Sequence, residues 1–247
     1  MPIYIDYIDN RCFILSPKCG TQTISKYLKI PINISYDRDE IIEILKDKDF
    51  RKIIVIRDIY DRFFSGFYED LKNNKCYLNL DITFFEYVKF LLFCYDNKLK
   101  NVNNLNVYFK DKNNLIEWGG CSSLNLNITD QDGNLSGHIV HQFNHIKPYI
   151  NILDVNDNVE VIDVNELSKI TNVHENNKTY NKYDNCQNNN SEKKFDYNSK
   201  LSDIKKSGIF PKKEKMINPT IKRILKHIYI NDLKLINQIK NTFSNIK

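Results

Sequence analysis

Residues 13 to 25 read FILSPKCGTQTIS: an apolar run, a Pro-Lys-Cys-Gly-Thr turn and a hydroxyl-rich helix start. That order predicts a strand entering a tight turn and leaving it as a helix. A helix start presents backbone N–H groups without intrahelical partners and the positive end of the helix dipole, so it attracts anions. Gly20 lets the backbone close around such a group, and Lys18 adds a mobile positive charge at the rim. Thr21, Thr23 and Ser25 can supply hydroxyl donors. The chemistry implied is recognition of a phosphate-like group.

Residues 52 to 71, KIIVIRDIYDRFFSGFYEDL, offer a second anion site. Lys52 to Ile56 form an apolar, β-branched run with the pattern of a buried parallel strand. Arg57 then falls at the carboxyl end of that strand, where open α/β sheets bind ligands. Its planar fork suits phosphate, and Ser65, two helical turns further on, offers a hydroxyl. Tyr60, Phe63, Phe64, Phe67 and Leu71 recur at helical spacing as an inward face. Arg62 reads as a partner for Asp58 or Asp61 on a solvated helix face.

Other phosphate loops do not fit these residues. An ATP-binding loop requires G-x-x-x-x-G-K-(S/T), and no glycine in the chain is followed by lysine. The dinucleotide fingerprint G-x-G-x-x-G is also missing. A cysteine-phosphatase loop needs an arginine six positions past its cysteine, where Cys19 is followed by Ser25. The two segments resemble those of sulfotransferases that use phosphoadenosine phosphosulfate (PAPS). The first resembles their 5′-phosphosulfate loop, PKxGTT(S/T) or PKCGTTS, with Pro17, Lys18, Cys19, Gly20, Thr21 and Thr23 matching and Gln22 replacing a threonine. The second resembles their 3′-phosphate motif, R-(D/E)-P-x-x-R-x-x-S-x-Y. Arg57, Asp58, Arg62 and Ser65 match, Ile59 replaces the proline, and Phe67 or Tyr68 stands for the terminal tyrosine.

The resemblance implies a three-layer α/β/α, P-loop-type fold with a mostly parallel central sheet. It implies PAPS as donor, phosphoadenosine phosphate (PAP) as product, and a hydroxyl or amine acceptor such as a carbohydrate. Pro17, Lys18, Cys19, Gly20, Thr21, Gln22, Thr23, Arg57 and Ser65 would bind the donor, and Lys18 would also be catalytic. No metal is required. The alternatives are a nucleotide or small-molecule kinase on a related fold, or a non-catalytic nucleotide-binding remnant.

Sulfuryl transfer also needs a base for the acceptor proton. The segment SGHIVHQFNHIKPYINIL at 136 to 153 holds His138, His141 and His145 at spacings of three and four, one helix face and a metal-like arrangement. No acidic residue or cysteine completes a ligand set there, and no metal site is expected. The segment resembles the H-W-x-x-Q-x-x-(L/I/V) region of carbohydrate sulfotransferases, with His138 and Gln142 as the nearest matches. VIDVNEL at 161 to 167 resembles that family's strand ending in a glutamate-leucine pair, and IYINDLKLI at 228 to 236 its C-terminal IYxxDxxL. His138 is the expected base, since an imidazole titrates near neutral pH. Asp37, Asp39 and Glu40 are the alternatives, and His141 and His145 are read as structural.

The elements that must position these residues follow from pattern. Two β-prone runs, 3 to 8 and 11 to 15, flank an Asp9-Asn10 turn and predict a hairpin. A helix from about Thr21 to Leu28, a short strand near Ile32 to Tyr36 and a helix near Asp39 to Lys46 precede the Arg57 unit. Residues 82 to 96 predict a helix capped by Thr83 or Asp81, with Phe84, Phe85, Val88, Leu91, Leu92 and Tyr95 inward. Val159 to Val164 reads as a later core strand. Residues 172 to 206 read as a mobile Asn- and Lys-rich loop, and 219 to 241 as a C-terminal helix.

A chain of 247 residues predicts one domain. Its 41% hydrophobic content is too high for disorder throughout. The net charge of +5 is spread thinly, which gives no nucleic-acid footprint, and AT-rich coding accounts for the Asn, Ile and Lys bias. Six cysteines include no C-x-x-C pair. Neither a signal peptide nor a membrane anchor is read from the N-terminus, and YVKFLLFCY at 87 to 95 is too short to span a bilayer. The chain is expected to be cytoplasmic with reduced thiols.

Overall fold

The computed structural model describes residues 3–31, 34–72, 82–96, 142–154, 158–171 and 195–243. The chain divides into two compact units, where length alone predicts one domain. The first comprises Met1–Ile59, His141–Asn176 and Asn231–Lys247, the second Tyr60–Val140 and Asn177–Ile230.

The first unit is built on a four-stranded sheet in the order β1-β2-β3-β4. Strands β1 (Ile3–Asp6) and β2 (Arg11–Leu15) form the expected antiparallel hairpin. Its turn is set by side chain and backbone together. Asp6 Oδ1 accepts from the N–H groups of Ile8 and Asp9, and Asn10 takes a left-handed φ of 48°. Strand β3 (Arg51–Ile56) pairs parallel with β2, Leu15 facing Val55, and β4 (Val159–Asp163) pairs parallel with β3. The mixed α/β class with a mostly parallel sheet is therefore as the sequence indicated.

Alternation along the strands splits the core in two, as a period of two residues requires. Tyr4, Phe13, Leu15, Ile53, Val55 and Ile162 pack with Ile24 of α1 (Thr21–Leu28) and with Cys19 and Leu167. Ile3, Ile5, Cys12, Ile14, Ile54 and Ile56 pack with α2 (Arg38–Lys46) through Ile41, Ile44 and Leu45. Helix α5 (Gln142–Ile150) and the C-terminal helix α10 (Ile230–Phe243) join this second cluster through Ile146, Ile150, Leu235, Ile239 and Phe243. Both faces of the sheet are thus covered, which is why β3 reads as a continuous apolar run rather than an alternating one.

The second unit is helical among the described residues. Helix α3 (Ile59–Lys72) buries Phe63, Phe64, Phe67 and Leu71 of the expected inward face, and leaves Tyr60 half-buried. Helix α4 (Phe84–Asp96) begins in a capping box. Glu86 N–H donates to Thr83 Oγ1 at 3.1 Å, and Thr83 N–H donates to Glu86 Oε2 at 2.9 Å. Phe67 meets Phe84 at 4.8 Å between ring centroids and Tyr87 at 5.4 Å. Tyr87, buried here, was not in the expected inward face.

Three expectations are corrected. Residues 34–36 of the expected Ile32–Tyr36 strand carry no strand. Of the expected loop at 172–206, residues 172–194 lie outside the described residues, and 195–206 carry hydrogen-bonded structure. Tyr197 O accepts from Phe85 N–H at 2.9 Å, Leu201 N–H donates to Ile82 O at 2.8 Å, and α7 (Leu201–Ser207), which the short α8 (Lys213–Met216) follows, buries Leu201 and Ile204. Apolar anchors one helical turn apart outweigh the polar composition around them. The expected helix at 219–241 is two helices, α9 (Pro219–Ile228) and α10, interrupted at Tyr229 with φ −95° and ψ 27°. The Tyr229 ring lies 6.1 Å from that of Phe63, so aromatic packing competes with helical continuity at that residue.

Candidate anion-binding site

Strand β2 ends at Leu15, and the next four residues form a hydrogen-bonded turn in which Cys19 N–H donates to Ser16 O at 3.0 Å. Pro17 occupies the second position, which suits its fixed φ, and Lys18 the third, at φ 67°. A left-handed third position ordinarily falls to glycine or asparagine, because a side chain there costs about 1–2 kcal/mol. Among the described residues, the other two non-glycine positions with positive φ have local explanations: Asn10 turns the hairpin and Lys29 ends α1. Lys18 holds its conformation inside the loop whose chemistry the sequence singled out.

Gly20, at φ 94°, starts α1 and contributes no side-chain cap. The first-turn N–H groups of Thr21, Gln22 and Thr23 stand at the positive end of the helix. Thr21 is half-buried, Gln22 exposed and Thr23 buried. Glycine is required at position 20 for a second reason. A Cβ there would lie 2.5 Å from Cδ2 of Leu167, which begins α6 (Leu167–Thr171) just beyond β4. Gly20→Ala is therefore expected to lose about 1–3 kcal/mol of stability through backbone strain and overpacking, read as a lower urea midpoint. An unchanged midpoint would show that the loop relaxes freely.

Arg57 follows β3 and sits beside this turn. Its Nη1 donates to the carbonyl of Lys18 at 2.7 Å, so the guanidinium fixes the loop as well as adding charge. The backbone of Arg57 is met by Gln142 from α5. Gln142 Oε1 accepts from Arg57 N–H at 3.2 Å, and Gln142 Nε2 donates to Arg57 O at 2.9 Å, pairing with the strand end as a neighbouring strand would. The same Oε1 accepts from Cys19 Sγ at 3.2 Å. The N-terminus of α5 is itself filled by a carboxylate. Asp232 of α10 accepts from the N–H groups of Gln142 and Phe143 at 2.9 and 2.8 Å. The α5 start is thus capped from within the protein, whereas the N-cap of α1 is a glycine.

The structure therefore brings together Pro17, Lys18, Cys19, Gly20, Thr21, Gln22, Thr23 and Arg57 at the carboxyl ends of β2 and β3. Ser65 lies on α3 and is half-buried, in the second unit. Arg62 is only 1% exposed, so its expected place on a solvated helix face is corrected. Asp61 pairs with Lys213. His138 and His141 lie outside the described residues. The alternative bases occupy the first turn of α2 and its cap. Asp37 caps that helix by accepting from Asp39 N–H at 2.8 Å, and Glu40 accepts from the hydroxyl of Tyr7 at the hairpin turn. The hairpin turn precedes β2, and Lys18 follows it. At ~3.3 Å per residue, roughly 13 Å of strand separates Arg11 from Leu15. Glu40 is thereby tied to the end of the sheet opposite Lys18.

Gln142, Asp232 and Leu167 were not assigned roles from sequence. Each nevertheless falls in one of the three looser segments of resemblance, and all three segments converge on the loop or its supports. Among the described residues, no group of three or more His, Cys, Asp or Glu side chains could hold a metal ion. No described helix is long and apolar enough to cross a membrane. Set beside family models, curated proteins and solved structures, the chain finds no match in any of the three.

Proposed function

We propose that this chain is a PAPS-dependent sulfotransferase, moving a sulfuryl group to a hydroxyl or amine acceptor such as a carbohydrate. The observation that carries the reading is the left-handed Lys18 turn leading through Gly20 into the start of α1, with Arg57 just past the end of the adjacent parallel strand and bonded to the turn. A three-layer, P-loop-type sulfotransferase fold acting in the cytoplasm belongs to the same reading.

In that mechanism the bond from sulfur to the donor's phosphate oxygen breaks as a bond from sulfur to the acceptor oxygen forms. Negative charge grows on the departing phosphate oxygen of PAP. Lys18 and the first N–H groups of α1 stabilise it, and they contribute most when that charge is greatest. Arg57 holds the 3′-phosphate and so fixes the donor through binding energy remote from the reacting bond. Ser65 enters as a 3′-phosphate ligand through the motif it completes. The acceptor proton passes to a base, for which His138 is proposed. The position of Glu40 argues against the carboxylates of the α2 first turn.

The direct test is incubation with PAPS carrying labelled sulfur and a panel of hydroxyl-bearing glycans and metabolites. Label is expected in an acceptor fraction, with the same yield when a chelator is present. Transfer that requires added divalent metal would contradict the metal-free mechanism, and label retained wholly in PAPS across the panel would contradict the reading.

A further inference from the structure

Gln142 touches both arms of the site. Its carboxamide bonds the Cys19 thiol and both backbone groups of Arg57, contacts that join residues 123 and 85 positions away in sequence. The side chain is 1% exposed, and buried bonds of this kind are directional and costly to leave unmade. A carboxamide with one oxygen on the turn and its amide edge on the strand end acts as a spacer of set length. Gln142 is held in turn by Asp232, fully buried, whose two carboxylate oxygens take the first N–H groups of α5. Filling a core at this point needs only an apolar side chain. Satisfying the thiol and the strand end together ties the loop to Arg57.

We propose that Gln142 is a positioning residue that sets the separation between the Lys18 loop and Arg57, and so favours ligands carrying two anionic groups at that separation. The ligand preference rests on the reading of these two elements as donor-binding arms. The spacing role stands on the hydrogen bonds alone.

The test compares wild type, Gln142→Ala and Gln142→Glu by native-state alkylation with iodoacetamide, resolved by mass spectrometry. Cys19 reports the bracket. Cys12, within β2, reports global opening, since burial pushes its thiol up to about 12 with the charge of Lys52 pulling the other way. In Gln142→Ala, labelling of Cys19 is expected to rise about tenfold with Cys12 unchanged, and PAP affinity to fall about tenfold with AMP affinity unchanged. Gln142→Glu adds a signature that a merely structural role would not give. A protonated carboxyl can donate to the Arg57 carbonyl as the amide does, and an ionised one cannot. Protection of Cys19, relative to wild type at the same pH, should therefore return as pH falls through that carboxyl's titration. Cys12 and Cys19 rising together, or Cys19 unchanged in both variants, would overturn the proposal. Selective exposure of Cys19 in a protein that never prefers PAP to AMP would overturn the donor reading and leave the spacing role standing.

Discussion

Lys18→Ala is expected to lower kcat by about 10²–10³-fold with an accepted substrate, as removal of a single group facing developing charge commonly does. PAP binding should weaken by only about tenfold, because the ground-state phosphate has other donors in the α1 N–H groups. The split between rate and binding distinguishes a transition-state role from simple attraction. Lys18→Gly sharpens the comparison. The turn conformation at φ 67° suits glycine better than lysine, so this variant should be as stable as wild type or more so by about 1 kcal/mol. A protein that is more stable and inactive would show that the lysine is kept for its ammonium at a cost to the fold. Near-normal turnover in either variant would remove Lys18 from the mechanism.

Loss of the 3′-phosphate from the ligand should have an effect of similar size on affinity. Charge-assisted hydrogen bonds contribute about 1.5–3 kcal/mol each, or roughly 10–150-fold per contact. AMP lacks the group that Arg57 is proposed to hold and should bind weaker than PAP by at least this factor. Arg57→Ala should bring PAP down towards AMP and leave AMP nearly unchanged. Because Arg57 also donates to the Lys18 carbonyl, some loosening of the loop should accompany it, visible as a small further loss for both ligands.

The strand, turn and helix from Phe13 to Leu28 were legible because everything that shapes them is contiguous: apolar alternation, Pro17, Gly20 and the helix period. The same holds for β3 and α3, and for the Thr83–Glu86 box that starts α4. What escaped were features made by distant parts of the chain. Nothing local to Gln142 indicates that its carboxamide ends on Arg57, 85 positions earlier, or that Asp232 caps its helix from 90 positions later. Arg62 looked solvated because its near neighbours are acidic, yet it is buried. The helical period runs unbroken through 219 to 241, so the interruption at Tyr229 could not be read from spacing; it reflects where the Tyr229 ring packs. Leu201 and Ile204 were lost in a polar stretch, yet both are buried and Leu201 N–H bonds the carbonyl of Ile82.

The most direct measurement of the central claim is a calorimetric titration of the wild-type protein with PAP, with AMP and ATP as controls, repeated on Arg57→Ala. A two-anion site built from the Lys18 loop and Arg57 should bind PAP with a dissociation constant of about 10 µM or tighter, AMP at least about tenfold more weakly, and ATP without preference over AMP. Arg57→Ala should erase most of the difference between PAP and AMP. Equal affinity for PAP and AMP in the wild type, or tightest binding of ATP, would contradict it.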